Sequence, residues 1–190
     1  TLPMLYASYP LYRVAGLRAL IVFPALGALA AAFAARRLAQ LIGRADGGGD
    51  GDGWAAFWLI GLASPLVIYA LDFWEHAPGV GLMGWGVALL VGDRPGWRRF
   101  ALAGLAFGAA ATLRTEALVY AGVAAGVAGL ALLRSRPRPA WALPVSVGLA
   151  FTLGLAVPFG ANVGLERAAL GGDLRAARAA GLAGAAGSEA

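Results

Sequence analysis

Asp72, Glu75 and His76 stand within five positions of one another in "LDFWEHAPG", and His76 is the only histidine of the chain. Two carboxylates beside an imidazole can move protons, hold a metal or line a polar cavity. On a single helical turn, spacings of three and four put all three on one face. The order D-x-x-E-H matches no metal-ligand pattern, because it lacks the second histidine of the zincin spacing. A plainer role is also open. Pro78 suits the first turn of a helix, and acids just before that turn favour its dipole.

The second group is Arg114 and Glu116 in "TLRTEAL", set between two apolar runs with almost no loop. A guanidinium is suited to clamping a phosphate. Glu116 could orient it, or begin the next helix as a favourable first-turn acid. The alternative is a tight turn from which Arg114 reaches to the membrane interface.

Two other stretches imitate sites. "ADGGGDGDGW" carries Asp46, Asp50 and Asp52 among glycines but lacks the bidentate glutamate of a calcium loop, so it reads as a linker. "GVGLMG", Gly79 to Gly84, is formally G-x-G-x-x-G, but no strand precedes it. Its small residues suit helix packing, as do the pairs Gly104/Gly108 and Gly122/Gly126, and together they imply a tightly packed bundle.

The elements that must position these groups are helices in a membrane. Of 190 residues 60% are hydrophobic and 13% charged, about half the charge of an ordinary soluble domain; the mean hydropathy is +0.73. The reading is an all-α, polytopic transmembrane bundle of about six spans, near 16–35, 54–71, 77–91, 98–113, 116–133 and 141–161. Spans three and four are short, which implies thin, tilted or partly re-entrant segments. Residues 162–190 form a mixed tail, the start of a truncated loop. The chain begins at Thr1 and is read as a fragment. Absence of cysteine excludes disulfides and thiolate metal sites.

All fifteen basic residues are arginine, and they sit in short loops rather than in a nucleic-acid-binding patch. Loops 36–53, 92–99 and 134–140 hold three each; the alternating loops hold none (72–76) and one (Arg114). The positive-inside rule places the three Arg-rich loops in the cytoplasm and both termini outside. Trp54, Trp58, Trp97 and Trp141 then mark the inner interface and Trp74 the outer one. Asp72–His76, Arg114–Glu116 and the N-terminal Tyr6, Tyr9, Tyr12 and Arg13 therefore share the outer face.

The run "SPLVIYALDFWEHAPGVGLMGWGVALL", then "GDRPGWRRF", then "ALAGLAFGAAATLRTEALVY" resembles the multi-spanning GT-C glycosyltransferases. The likeness is to bacterial relatives of the protein O-mannosyltransferases and lipopolysaccharide-core sugar transferases. Ser64-Pro65, Glu75-His76, Arg98-Arg99, Gly104, Gly108, Arg114 and Glu116 carry it, and "PLYRVAGLRAL" extends it over most of residues 10–135. The resemblance implies sugar transfer from a polyprenyl-phosphate donor to a glycan, lipid or protein acceptor at the outer face of the plasma membrane. It gives Arg114 to the donor phosphate, Glu116 to orienting it, and Glu75, His76 and Asp72 to the cavity wall. It places the catalytic base in a loop upstream of Thr1. No metal ligands are identified, and whether a divalent ion takes part is left open. The competing expectation is a non-enzymatic lipid or polyprenol carrier or transporter. Such a protein should show polar or broken-helix positions near the bilayer centre.

Overall fold

The computed structural model describes residues 2–45, 53–92, 96–134 and 141–171. Over these residues the chain is helical, without strands. Helix α1 (Leu2–Ala15) leads through a 3-10 turn (Gly16–Ile21) into α2 (Val22–Ala45). Then follow α3 (Trp54–Leu62), α4 (Leu66–Ala70), α5 (His76–Val91), α6 (Trp97–Leu113), α7 (Ala117–Arg134) and α8 (Ala142–Leu170).

Three helical segments among the described residues are long and apolar enough to cross a membrane, against the six expected. They are Pro3–Arg44, Ala117–Arg134 and Ala142–Leu170. The shortfall has local causes. α5 has 16 residues and so extends about 24 Å, short of a hydrocarbon core of about 30 Å. The expected span 54–71 is broken at Ser64-Pro65. Pro65 cannot continue the α3 hydrogen-bond ladder, since it lacks an N–H and its ring crowds the preceding turn. Ser64 closes the break on itself: its Oγ donates to the Ile60 carbonyl (2.6 Å) and accepts from the Leu66 N–H (3.2 Å).

Two expected loop boundaries also move. Arg36, Arg37 and Arg44 lie on α2, which runs on to Ala45. The Arg36 guanidinium lies 3.8 Å from the centre of the Trp54 ring, which joins the end of α2 to the start of α3. Gly53 enters α3 with φ +65°, a left-handed conformation, and the Arg36 carbonyl would stand 2.6 Å from any Cβ there. At the other boundary α8 continues past Ala161 to Leu170. The acidic linker Asp46, Asp50 and Asp52, the residues Arg94, Arg136 and Arg138, and positions 172–190 lie outside the described residues.

Helix direction follows from the glycine contacts. A Cβ on Gly27 would strike Pro78, one on Gly81 would lie 2.6 Å from the Gly27 carbonyl, and one on Gly84 would lie 3.0 Å from Ala34. Numbers rise together, so α2 and α5 run parallel. Gly61 faces Ala32 and Gly53 faces Arg36, so α3 runs back along α2. Gly86 faces the Phe107 ring and Gly79 faces Arg114, so α6 is antiparallel to α5. Gly104 and Gly108 meet Phe151, Leu155 and Pro158, so α8 is parallel to α6. In consequence Arg44, Arg98, Arg99 and Arg134 gather at one end of the bundle. The turns 71–75 and 114–116 gather at the other.

The α6–α8 seam brings two backbones into direct contact. A Cβ on Gly104 would stand 2.9 Å from the Leu155 nitrogen, and one on Gly154 would stand 3.0 Å from the Leu105 nitrogen. Phe107 and Phe151 flank the seam edge-on, ring centres 6.1 Å apart, and with Phe100, Ala103, Ala121 and Val147 form the main core. Only residues without side chains permit this approach, which substitutes close van der Waals contact for a hydrophobic driving force that a lipid solvent does not supply.

Candidate functional site

The segment after α4 turns sharply, with the Trp74 N–H donating to the Asp72 carbonyl at 2.8 Å, before α5 begins at His76. Pro78 falls in the first turn of α5, as its missing N–H allows. Because the helix starts at His76, residues 72–75 are not part of a helical turn, and the expected shared helical face of Asp72, Glu75 and His76 does not form. Asp72 is exposed and Glu75 half-buried, and the Glu75 carboxylate makes no capping bond to α5.

His76 is instead held by aromatic rings. Tyr69 stacks on it at 4.8 Å and 18°, and Trp74 lies tilted against it at 4.7 Å. Its Nδ1 is buried with no hydrogen-bond partner. Sequence reasoning treated Trp74 as an interface anchor and passed over Tyr69. The signal available was two aromatics flanking the only histidine, seven positions before it and two before it.

Arg114 ends α6 in extended backbone (φ −139°, ψ 120°), its N–H bonded to the Ala110 carbonyl at 2.8 Å. Its side chain crosses to α5, where Cδ and Cγ lie 3.6 and 3.8 Å from the place of a Cβ on Gly79. The missing side chain at Gly79 thus makes the bed for the Arg114 stem. Arg114 Nη2 meets Glu116 Oε1 at 3.2 Å, with the side chains 28% and 63% exposed. The Arg114 hydrogen bond holds the Glu116 carboxyl below its ordinary value, helped by its own backbone N–H, by the Arg114 charge and by His76. An ion pair this exposed adds little stability. Its consequence is orientation: the guanidinium is held by Glu116 at Nη2.

The expected convergence is therefore seen in part. The packing of the Arg114 stem on Gly79 brings the start of α5 beside Arg114 and Glu116. The N-terminal helix joins from the other side. Leu5, Ser8, Tyr9 and Tyr12 of α1 enclose a pocket of about 260 Å³ together with Leu20 and Phe73. Arg13 is turned onto Tyr9, donating to its hydroxyl at 3.1 Å. Among the described residues no three His, Asp or Glu side chains come together in a way that could hold a metal ion. A larger pocket of about 550 Å³ opens among Val87, Leu90, Phe100, Ala124, Val127 and Ala128 at the Arg-rich end, and none of its lining groups titrates.

Two polar residues that sequence reasoning assigned to the tail are buried in α8. Asn162 and Glu166 are 3% and 4% exposed and bond to each other, Nδ2 to Oε1, at 2.8 Å. The signal was their spacing of four, which would place them on one face had the helix been extended beyond Ala161. Comparison of the chain with family models, with curated proteins and with solved structures finds no match.

Proposed function

We propose that this chain belongs to an integral-membrane glycosyltransferase of the GT-C type, which transfers a sugar from a polyprenyl-phosphate donor at the outer face of the plasma membrane. In this reading α2, the broken pair α3–α4, α5, α6, α7 and α8 all cross, the shorter ones where the bilayer thins or the helices tilt. The Arg-rich end is cytoplasmic, by the positive-inside rule. The acceptor is a glycan, a lipid or a protein.

The observation that carries the reading is Arg114. The Arg114 side chain, 28% exposed, sits at the end of an apolar bundle, its stem bedded on Gly79 and its guanidinium steadied by Glu116. That is an arrangement for a phosphate arriving from within the membrane, since a planar fork can take two phosphate oxygens. The same charge would stabilise the phosphate as it leaves the sugar. Beside it stands the Tyr69–His76–Trp74 ring cluster, whose Trp74 is exposed and could cover one face of a sugar.

The test is Arg114→Ala and Arg114→Lys in the full-length protein in nanodiscs, with undecaprenyl-phosphate-linked hexoses as donors. Alanine should raise the donor KM at least tenfold or abolish transfer, and lysine should recover part, having charge but no fork. Undiminished transfer by Arg114→Ala sinks the phosphate role.

The α3–α4 break favours the carrier or transporter reading, since unwound segments in such proteins bind substrate. Against it, the Ser64 hydroxyl already satisfies groups on both sides of the break. A purified protein that moves polyprenyl phosphate across vesicles without sugar transfer would establish that reading instead.

A further inference from the structure

The pocket of about 550 Å³ at the Arg-rich end is a slot between α7 and the pair α5–α6. On α7 it is lined by Ala124, Val127, Ala128 and Ala131, whose spacings of three and four make one helix face. From Ala124 to Leu132 the slot extends about 12 Å along the helix. Val87 of α5 and Phe100 of α6 line it from the other side. Val91 and Val127, 52% and 66% exposed, stand at its edge, so it opens sideways between the helices.

In a bilayer such a slot is filled by hydrocarbon chains. The chains alone are not selected there, because an apolar slot offers a lipid tail little more than neighbouring tails do. Any choice of lipid must come from what stands at the mouth. The mouth is basic. Gly92 lines the slot at the end of α5, and the Arg99 guanidinium occupies the place that a Cβ on Gly92 would take. Its Nη2 lies 3.5 Å from the Ala88 carbonyl oxygen. Arg134 comes seven positions after Val127 and three after Ala131. It is exposed and continues the lining face of α7 by one turn. Trp97, three positions before Phe100, is exposed at the same end, where an indole suits the headgroup region. Each arginine also favours the dipole of the helix end it stands at. Helix ends do not account for an apolar slot running up to both of them.

We propose that this slot binds one acyl chain of an anionic diacyl phospholipid, with the lipid phosphate between Arg99 and Arg134 and Trp97 beside the headgroup. The inference needs only that the bundle lies in a bilayer, and it holds whether or not the protein transfers sugar. Guanidinium forks match phosphate oxygens, and basic pockets between membrane helices recognise anionic headgroups. The lipid ties α7 to α5 and α6 where the protein leaves a gap.

Native mass spectrometry of the full-length protein tests this, in detergent with equal amounts of dioleoyl phosphatidylglycerol and dioleoyl phosphatidylcholine. Wild type should retain phosphatidylglycerol at least tenfold over phosphatidylcholine, since each arginine near an anionic headgroup is worth about fivefold. Arg134→Gln should cut the preference by about fivefold. Ala128→Phe fills the slot and leaves both arginines, so it should lose the retained lipid while circular dichroism and gel filtration match wild type. Ala131→Leu is a milder filling and should lower retention in the same direction if the phenylalanine is not tolerated. Equal retention of the two lipids by wild type overturns the proposal, as does an unchanged preference in Arg134→Gln or unchanged retention in a folded filled variant. Displacement of the phospholipid by an equal amount of undecaprenyl phosphate would give the slot to a polyprenyl chain, and displacement by excess inorganic phosphate would leave only a headgroup site. A lipid-free dimer that Ala128→Phe converts to monomer would put a second copy in the slot. Each of these three results also overturns the proposal.

Discussion

α6 and α7 carry the same small-residue spacing and use it oppositely. On α6, Gly104 and Gly108 lie on the α8 backbone, and Gly154 of α8 answers them. On α7, Gly122, Gly126 and Gly129 have nothing within 4 Å of where a Cβ would stand. The expected tight packing is thus present in one pair and absent in the other. A G-x-x-x-G pair permits close approach, but a seam forms only where the facing helix is also bare and has large residues to flank it. α8 supplies Gly154 and Phe151; the flank of α7 carries Val119, Val123 and Val127 into the open. The lesson concerns the site as well. Arg114 is anchored at the end of the helix with the rigid seam, while Glu116 stands at the start of the one that is loosely held.

The contrast can be broken by mutation. Gly104→Leu or Gly154→Leu should separate the α6 and α8 backbones and destabilise the protein by about 3 kcal/mol, the upper range for an overpacked core; thermal unfolding in detergent would show it. Gly79→Leu should leave the seam alone but push the Arg114 stem from its bed, raising the donor KM roughly tenfold, about 1.4 kcal/mol of binding. Gly126→Leu should alter thermal stability by less than about 0.5 kcal/mol, as at other open positions. A large loss there would mean that α7 has a partner on that face.

The smallest effect is that of Glu116. Its carboxyl is held below its ordinary value of 4.5 by the Arg114 hydrogen bond. A group with a depressed folded-state pKa contributes its stability above the unfolded value and loses it as pH falls through the folded one. The slight advantage of wild type over Glu116→Gln in thermal midpoint should therefore be present at pH 6 and disappear below the carboxylate range. An advantage that grows on acidification would contradict the pair.

The gathering of Arg44, Arg98, Arg99 and Arg134 at one end was legible because arginines recur at every second turn between the apolar runs. The pairing of Arg114 with Glu116 was legible because a single residue separates them in a turn too short to part them. The break at Ser64-Pro65 was not, because a hydropathy window averages across a proline that changes backbone geometry without lowering apolarity. Arg36 and Arg37 were read as loop because charge was taken to end the helix, whereas their long stems allow α2 to continue and Arg36 to lie on Trp54. Asn162 and Glu166 were missed for the converse reason. Polar residues after an apolar span look like its end, and only the burial of that face shows otherwise. The Gly79 bed for Arg114 is a contact between separate helices and has no local signature.

The parallel pairing of α6 with α8 also has a consequence in time. The glycine face of α6 is complete at Gly108, but its partner Gly154 is made 46 residues later, after α7 has been synthesised and has left without using that face. At roughly 5–20 residues per second, the face stays open for several seconds on the ribosome. In that interval any small-residue helix nearby competes for it, so a slow codon run between Gly108 and Gly154 should lower the yield of folded protein without changing a residue.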